Sequence, residues 1–118
     1  MKTWGTKDLV CATNADWTET LTLGVEPRAW VLAGATAIGM QIRSEPDGAD
    51  PLVTLGLGSG LAIANAAQFT ITLTVPASTI AGWPDGGWVY DIVVTTASGQ
   101  KVRALAGNVI VNLGITRA

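Results

Sequence analysis

The sequence predicts an all-β chain, an antiparallel β-sandwich of about seven strands, with a small β-barrel as the alternative closure. Three observations predict it. Apolar residues recur at every second position in several runs, the period of a strand with one buried face. Gly- and Pro-rich turn signals separate those runs at about the 8–12-residue spacing of sandwiches and barrels. No segment carries an amphipathic helix: Lys and Glu, the usual coat of helix surfaces, number three each, and the 17 Ala are scattered among Gly and β-branched residues.

The runs follow in order. Trp17, Leu21, Leu23 and Val25 lie on one face, with Thr18, Thr20 and Thr22 on the other. Glu19 interrupts the apolar face and predicts a position near a sheet edge. Ile38, Met40 and Ile42 alternate up to Arg43. The segment from Leu52 to Ala64 is broken by Gly56, Gly58 and Gly60, which predicts two short strands or one bulged strand. Phe69, Ile71, Leu73 and Val75 oppose Thr70, Thr72 and Thr74 in the cleanest strand of the chain. Threonine suits the wet face because its β-branch fits a pleated surface without adding much apolar area.

Pro76 ends that strand, and 77–81 fits one helical turn. Trp83-Pro-Asp-Gly-Gly87 is a turn. Trp88, Tyr90, Ile92 and Val94 then alternate, and Val89 and Val93 predict cover on the second face as well. A hairpin through 97–100, with Gly99 at positive φ, leads to a last strand from near Gln100 through Val109 and Val111. The organisation expected is an N-terminal arm at 1–15, a sandwich at 16–111 and a C-terminal tail at 112–118.

Composition narrows the function. The 118 residues make one domain of ordinary size, with enough chain for a core without metals or disulfides. There is no His, which removes histidine-based nucleophile systems and most zinc or iron sites. Cys11 is the single cysteine, so no disulfide forms within the chain. The seven basic residues are dispersed and the net charge is −2, which points away from nucleic acid. No apolar run is long enough for a membrane helix, and the N-terminus has no apolar signal core, so neither a membrane partner nor a signal peptide is expected.

The carboxylates offer two places for chemistry. Glu45, Asp47 and Asp50 share one Pro-flanked loop, but the spacing lacks the alternating ligands of a calcium loop, and a solvated turn is expected. Asp91 sits within an apolar strand. Arg103, across the hairpin, is the expected partner in a structural ion pair, with Lys101 as the second candidate. Leu-Gly-Leu-Gly-Ser-Gly at 55–60 lacks the Lys-Ser/Thr of a phosphate loop and reads as a turn or bulge. No catalytic residue, metal site or cofactor is expected.

Five Trp in a chain this short call for a place to be buried. Trp17 and Trp88 fit strand cores. Trp30, with Val31 and Leu32, and Trp83 lie outside clean strands and are the expected contact surface, since aromatic side chains are enriched in interfaces. Apolar surplus around 29–32 and 52–64 is expected to be covered by other subunits.

Several stretches in order resemble a small domain of tailed bacteriophages and prophages. They are Trp17-Thr-Glu-Thr-Leu-Thr-Leu, the run from Leu32 to Met-Gln-Ile-Arg43, Trp88-Val-Tyr-Asp-Ile-Val-Val with the Ser98-Gly99 turn, and Val102-Arg-Ala-Leu-Ala-Gly-Asn-Val-Ile-Val, closing with Ile115-Thr-Arg117. The resemblance spans about 16–117. It departs where Ala104 and Ala106 stand in a run that carries more bulk and charge in the family. It implies an immunoglobulin-like sandwich in a virion, in a tail, baseplate or fibre-attachment position, without catalysis or cofactor. A capsid decoration protein is the alternative within that class. A carbohydrate- or receptor-binding module using exposed Trp, with a host-surface glycan as ligand, is the alternative outside it. The expected partners are other virion proteins and further copies of the chain, and the expected location is the virion, assembled in the host cytoplasm.

Overall fold

The computed structural model describes residues 5–24, 30–44 and 51–115. The loop with Glu45, Asp47 and Asp50 lies outside them, as does Val25. The described chain is nearly all strand: β1 (Gly5–Thr6), β2 (Leu9–Ala12), β3 (Trp17–Thr22), β4 (Ala37–Arg43), β5 (Val53–Leu57), β6 (Gly60–Asn65), β7 (Thr70–Val75), β8 (Gly86–Thr95) and β9 (Lys101–Asn112). A 3-10 turn at Ala66–Gln68 and one helical turn, α1 (Ala77–Ile80), complete it.

Hydrogen bonding runs in the order β1-β9-β8-β4-β5-β6-β7-β3, with β2 also on β9. The path folds over at β5–β6 into two layers. One holds β1/β2, β9, β8, β4 and β5, and the other holds β6, β7 and β3. At one end the layers also approach along the far side, where Gly24 N–H donates to Ala104 C=O at 2.7 Å. The fold is therefore an all-β sandwich with partial barrel-like closure.

Three features differ from the sequence reading. Nine strands form among the described residues, because short pieces at 5–12 and 53–65 count separately. Three pairings are parallel: β1 with β9, β2 with β9, and β5 with β6. Residues 5–12 are not a free arm but the outer strand of the first layer. The apolar alternation of Leu9 and Cys11, both buried, is what docks them there.

The beginning of the expected tail is also held. Gly114 N–H donates to the buried Thr13 Oγ1 at 2.8 Å, while Leu113 and Ile115 remain exposed.

The core follows the alternation. Leu21, Leu23, Ile38, Met40, Ile42, Ile71, Leu73, Ile92 and Val94 are almost fully buried, and Thr18, Thr20 and Thr22 are exposed. Phe69 departs from its predicted strand. It closes the 3-10 turn at φ 57, and its ring meets Trp30 edge to face, with centroids 4.8 Å apart.

Gly99 has φ 89, as the hairpin requires. Gly58 and Gly60 (φ 84 and 99) make the kink that carries the chain from β5 to β6.

Candidate functional site

The outer face of β4, β8 and β9 carries a cleft lined by several polar side chains. Register builds it. Gln41 lies opposite Asp91, which lies opposite Ala106, while Arg43, Val89 and Asn108 form the neighbouring row. Strict alternation back from Val109 would turn Arg103 into the core. A one-residue register shift between Ile92 and Val93 prevents this. It leaves Ala104 and Leu105 both buried in succession and returns Arg103 to the outer face.

The side chains are tied to one another. Gln41 Nε2 donates to Thr54 Oγ1 at 3.3 Å. Arg43 donates to Gln41 Oε1 from Nε at 3.2 Å and from Nη2 at 2.6 Å. Arg103 Nε stands 3.4 Å from Asp91 Oδ2, with each side chain about half exposed. At that exposure the pair contributes about 1 kcal/mol or less. Asn108 donates from its backbone and from Nδ2 to Asp8 Oδ1, at 3.2 and 3.3 Å. The small Ala106 opposite Asp91 leaves space, and the groups enclose a cleft of about 450 Å³. Thr6 and Gly107 also line it.

Of these residues, Asp91 and Arg103 were legible as a candidate pair. Nothing local in the sequence marks Gln41, Arg43 and Asn108, which the strand register brings to the same face. The alternation puts Gln41 and Arg43 on one face, but only the β4–β8 register shows that this face is also that of Asp91.

The expected contact surface needs correction. Trp30, Leu32 and Trp83 are 5%, 0% and 8% exposed, in the chain's own core. Trp30 packs on Phe69 and Trp83 on Trp17. Val31 alone of that set is exposed. The apolar surplus of 52–64 is likewise partly internal, since Leu55 and Leu61 are buried, though Leu57 is not. Among the described residues no aromatic side chain is fully exposed, and the buried indole N–H groups of Trp30 and Trp88 have no hydrogen-bond partner.

Exposed apolar side chains gather elsewhere. Val10 of β2 is directly opposite Ile110 of β9, and both are about half exposed. Exposed Leu113 and Ile115 follow Ile110 along the chain. A second, smaller cleft of about 280 Å³ lies between β2 and β3, lined by Cys11, Trp17 and Glu19 among others.

Burial, and secondarily the Glu19 charge, push the Cys11 thiol up to about 11. The same two causes, with Asp8, raise Tyr90 above its ordinary value. Both groups are neutral acids whose ionisation opposes folding. Their contribution is fully present below the ordinary thiol value and falls as the unfolded chain releases protons that the native state retains. Denaturation midpoints are therefore expected to hold up to about pH 8.5 and to decline from pH 9 to 11. Native Cys11 is expected to react with a thiol reagent at pH 8 far more slowly than in urea. A native rate equal to the unfolded one would contradict this.

No group of three or more His, Cys, Asp or Glu that would hold a metal occurs among the described residues. No described helix is long and apolar enough to cross a membrane. No family model matches the chain, and no curated protein matches it. Among solved structures it is similar to CopC from Methylosinus trichosporium OB3b, at 12% identity and a TM-score of 0.48, over 98% of this chain and 90% of that one. A likeness this distant does not bear on function.

Proposed function

We propose that the chain is a non-enzymatic assembly module, a bacteriophage virion protein that oligomerises and binds neighbouring virion proteins. The virion setting rests on the resemblance of its strand residues to the phage domain. The observation that carries the assembly role is the β2 edge. Strand β2 reads Leu-Val-Cys-Ala, pairs with β9 on one side, and among the described residues pairs with no strand on the other. Natural edge strands are usually blunted by charge, proline or a covering element. This one carries no charge of its own, and the apolar Val10 and Ile110 stand side by side on its outer face.

A second copy or a neighbour adding along that edge satisfies the open backbone groups and covers the apolar pair. The glycan alternative loses the residues it relied on, since Trp30 and Trp83 are internal.

Light scattering of the purified chain tests the reading, with Val10→Lys and Ile110→Lys as variants. The expected result is an oligomer that dissociates at least tenfold more readily in either variant, and co-purification of the chain with phage particles. A wild-type monomer at every concentration that is absent from purified particles would overturn it.

A further inference from the structure

The smaller cleft, between β2 and β3, borders the open β2 edge. We infer that it receives the C-terminal segment of a second copy of the chain, from Leu113 through Arg117. This names the segment that covers the edge and rests on the assembly reading above. An open strand edge, an exposed apolar segment and opposite charges on the two carry the inference.

The backbone shows where a strand can add. Lys7 N–H donates to Ala106 C=O and Thr13 N–H to Asn112 C=O, both at 3.0 Å. Odd-numbered residues of this run thus turn their amides to β9, and the amide and carbonyl of Val10 point the other way. Across the gap, Leu23 N–H donates to Phe69 C=O at 2.8 Å, so the odd positions of β3 face β7 and Thr18 turns its backbone outward. Val10 and Thr18 both line the cleft. An extended segment entering there meets open backbone groups on each side. The volume of about 280 Å³ suits side chains of such a segment rather than a folded element.

The C-terminal segment has the matching chemistry. Leu113 and Ile115 are 61% and 94% exposed, and two residues apart they fall on one side of an extended strand. Asp16 and Glu19 line the cleft, and no basic residue does. They accept one hydrogen bond each, from Ala77 N–H and Trp17 Nε1–H, and a carboxylate has room for more. Arg117 is the single charged residue after Arg103 and supplies the cation. The chain's own segment is held elsewhere: Gly114 N–H donates to Thr13 Oγ1, and neither Leu113 nor Ile115 lines the cleft. Folding back into its own cleft would break that bond, whereas a neighbour's segment enters with its own bond intact.

The test mixes isotope-labelled wild-type chain with unlabelled chain that carries a nitroxide on Ala118→Cys, the buried Cys11 thiol being slow to label. NMR of the mixture is expected to show broadening of the Val10, Ala12 and Thr18 amides in the isotope-labelled copies, lost on dilution. Ile115→Ser, a change at an exposed position, and Arg117→Glu are each expected to weaken association at least fivefold by light scattering. The Arg117→Glu effect is expected to shrink in high salt. The inference is overturned if an oligomeric sample shows no such broadening, shows it centred elsewhere, or shows it only when nitroxide and isotope share one chain. Unchanged association of Ile115→Ser also overturns it. Each of these outcomes leaves the assembly reading standing, whereas a wild-type monomer at every concentration overturns both.

Discussion

Gly107→Ala is expected to destabilise the domain by about 3 kcal/mol or more. A Cβ at Gly107 meets the carbonyl of Lys7, with the carbonyl carbon 2.8 Å away. The obstacle is backbone, and it is held from several directions. Lys7 N–H donates to Ala106 C=O at 3.0 Å, and Tyr90 Oη–H donates to Lys7 C=O at 2.8 Å. Strands β1 and β2 pair with β9 on either side of it. Relief therefore requires β1, β2 or both to leave β9. Urea denaturation read by Trp fluorescence checks this, since the midpoint shift multiplied by an unchanged slope gives the loss. A shift worth under 1 kcal/mol would show that Lys7 is not held as described. Tyr90→Phe separates the two contributions. It removes one hydrogen bond of about 1 kcal/mol and leaves the packing intact.

Much of this molecule was legible as alternation. The faces of Ile71, Leu73 and Val75, of Ile38, Met40 and Ile42, and of Tyr90, Ile92 and Val94 are buried as their period requires. Turns were legible for the same local reason: Gly99 and the Gly58–Gly60 kink adopt the positive φ that glycine permits. The failures are non-local. Residues 5–12 look like an arm because so short a run acquires its meaning only from β9, about 100 residues away, and such a parallel partner leaves no local mark.

Trp30 and Trp83 failed for a related reason. A tryptophan outside a strand can cover a sandwich end or face a partner, and only the positions of Phe69 and Trp17 decide. The Asp91–Arg103 pair shows the opposite case. Strict alternation places Arg103 inward, and the register shift at Ala104 turns it out to meet Asp91. Chemistry suggested the pair, and an irregularity that alternation does not reveal made it geometrically available. The cleft depends on the same irregularity. Its remaining groups, Gln41, Arg43 and Asn108, become neighbours only through the pairing of β4, β8 and β9.

Trp17→Ala is expected to cost about 3–5 kcal/mol, within the range for deleting a buried tryptophan. The indole is 4% exposed and meets Trp83 edge to face, with centroids 6.4 Å apart and planes at 89°. Its Nε1–H donates to Glu19 Oε1 at 3.0 Å, which satisfies a polar atom that burial would otherwise leave costly. The position joins three parts of the fold. Trp17 begins β3 and pairs with Val75. The preceding Asp16 accepts from Ala77 N–H at 2.7 Å. Trp83 N–H in turn donates to Ile80 C=O at 2.9 Å, so the ring contact fixes α1 and the turn into β8.

Trp17→Phe keeps an aromatic edge against Trp83 but gives up the Glu19 hydrogen bond and part of the area, and it is expected to recover at least half of the loss. Trp83→Ala should come close to Trp17→Ala, and the double variant should fall short of the sum, because each single change already removes the shared contact. Calorimetric or urea midpoints of the four proteins decide it. Strict additivity would mean that the two rings stabilise separate regions and that the edge-to-face contact contributes nothing of its own.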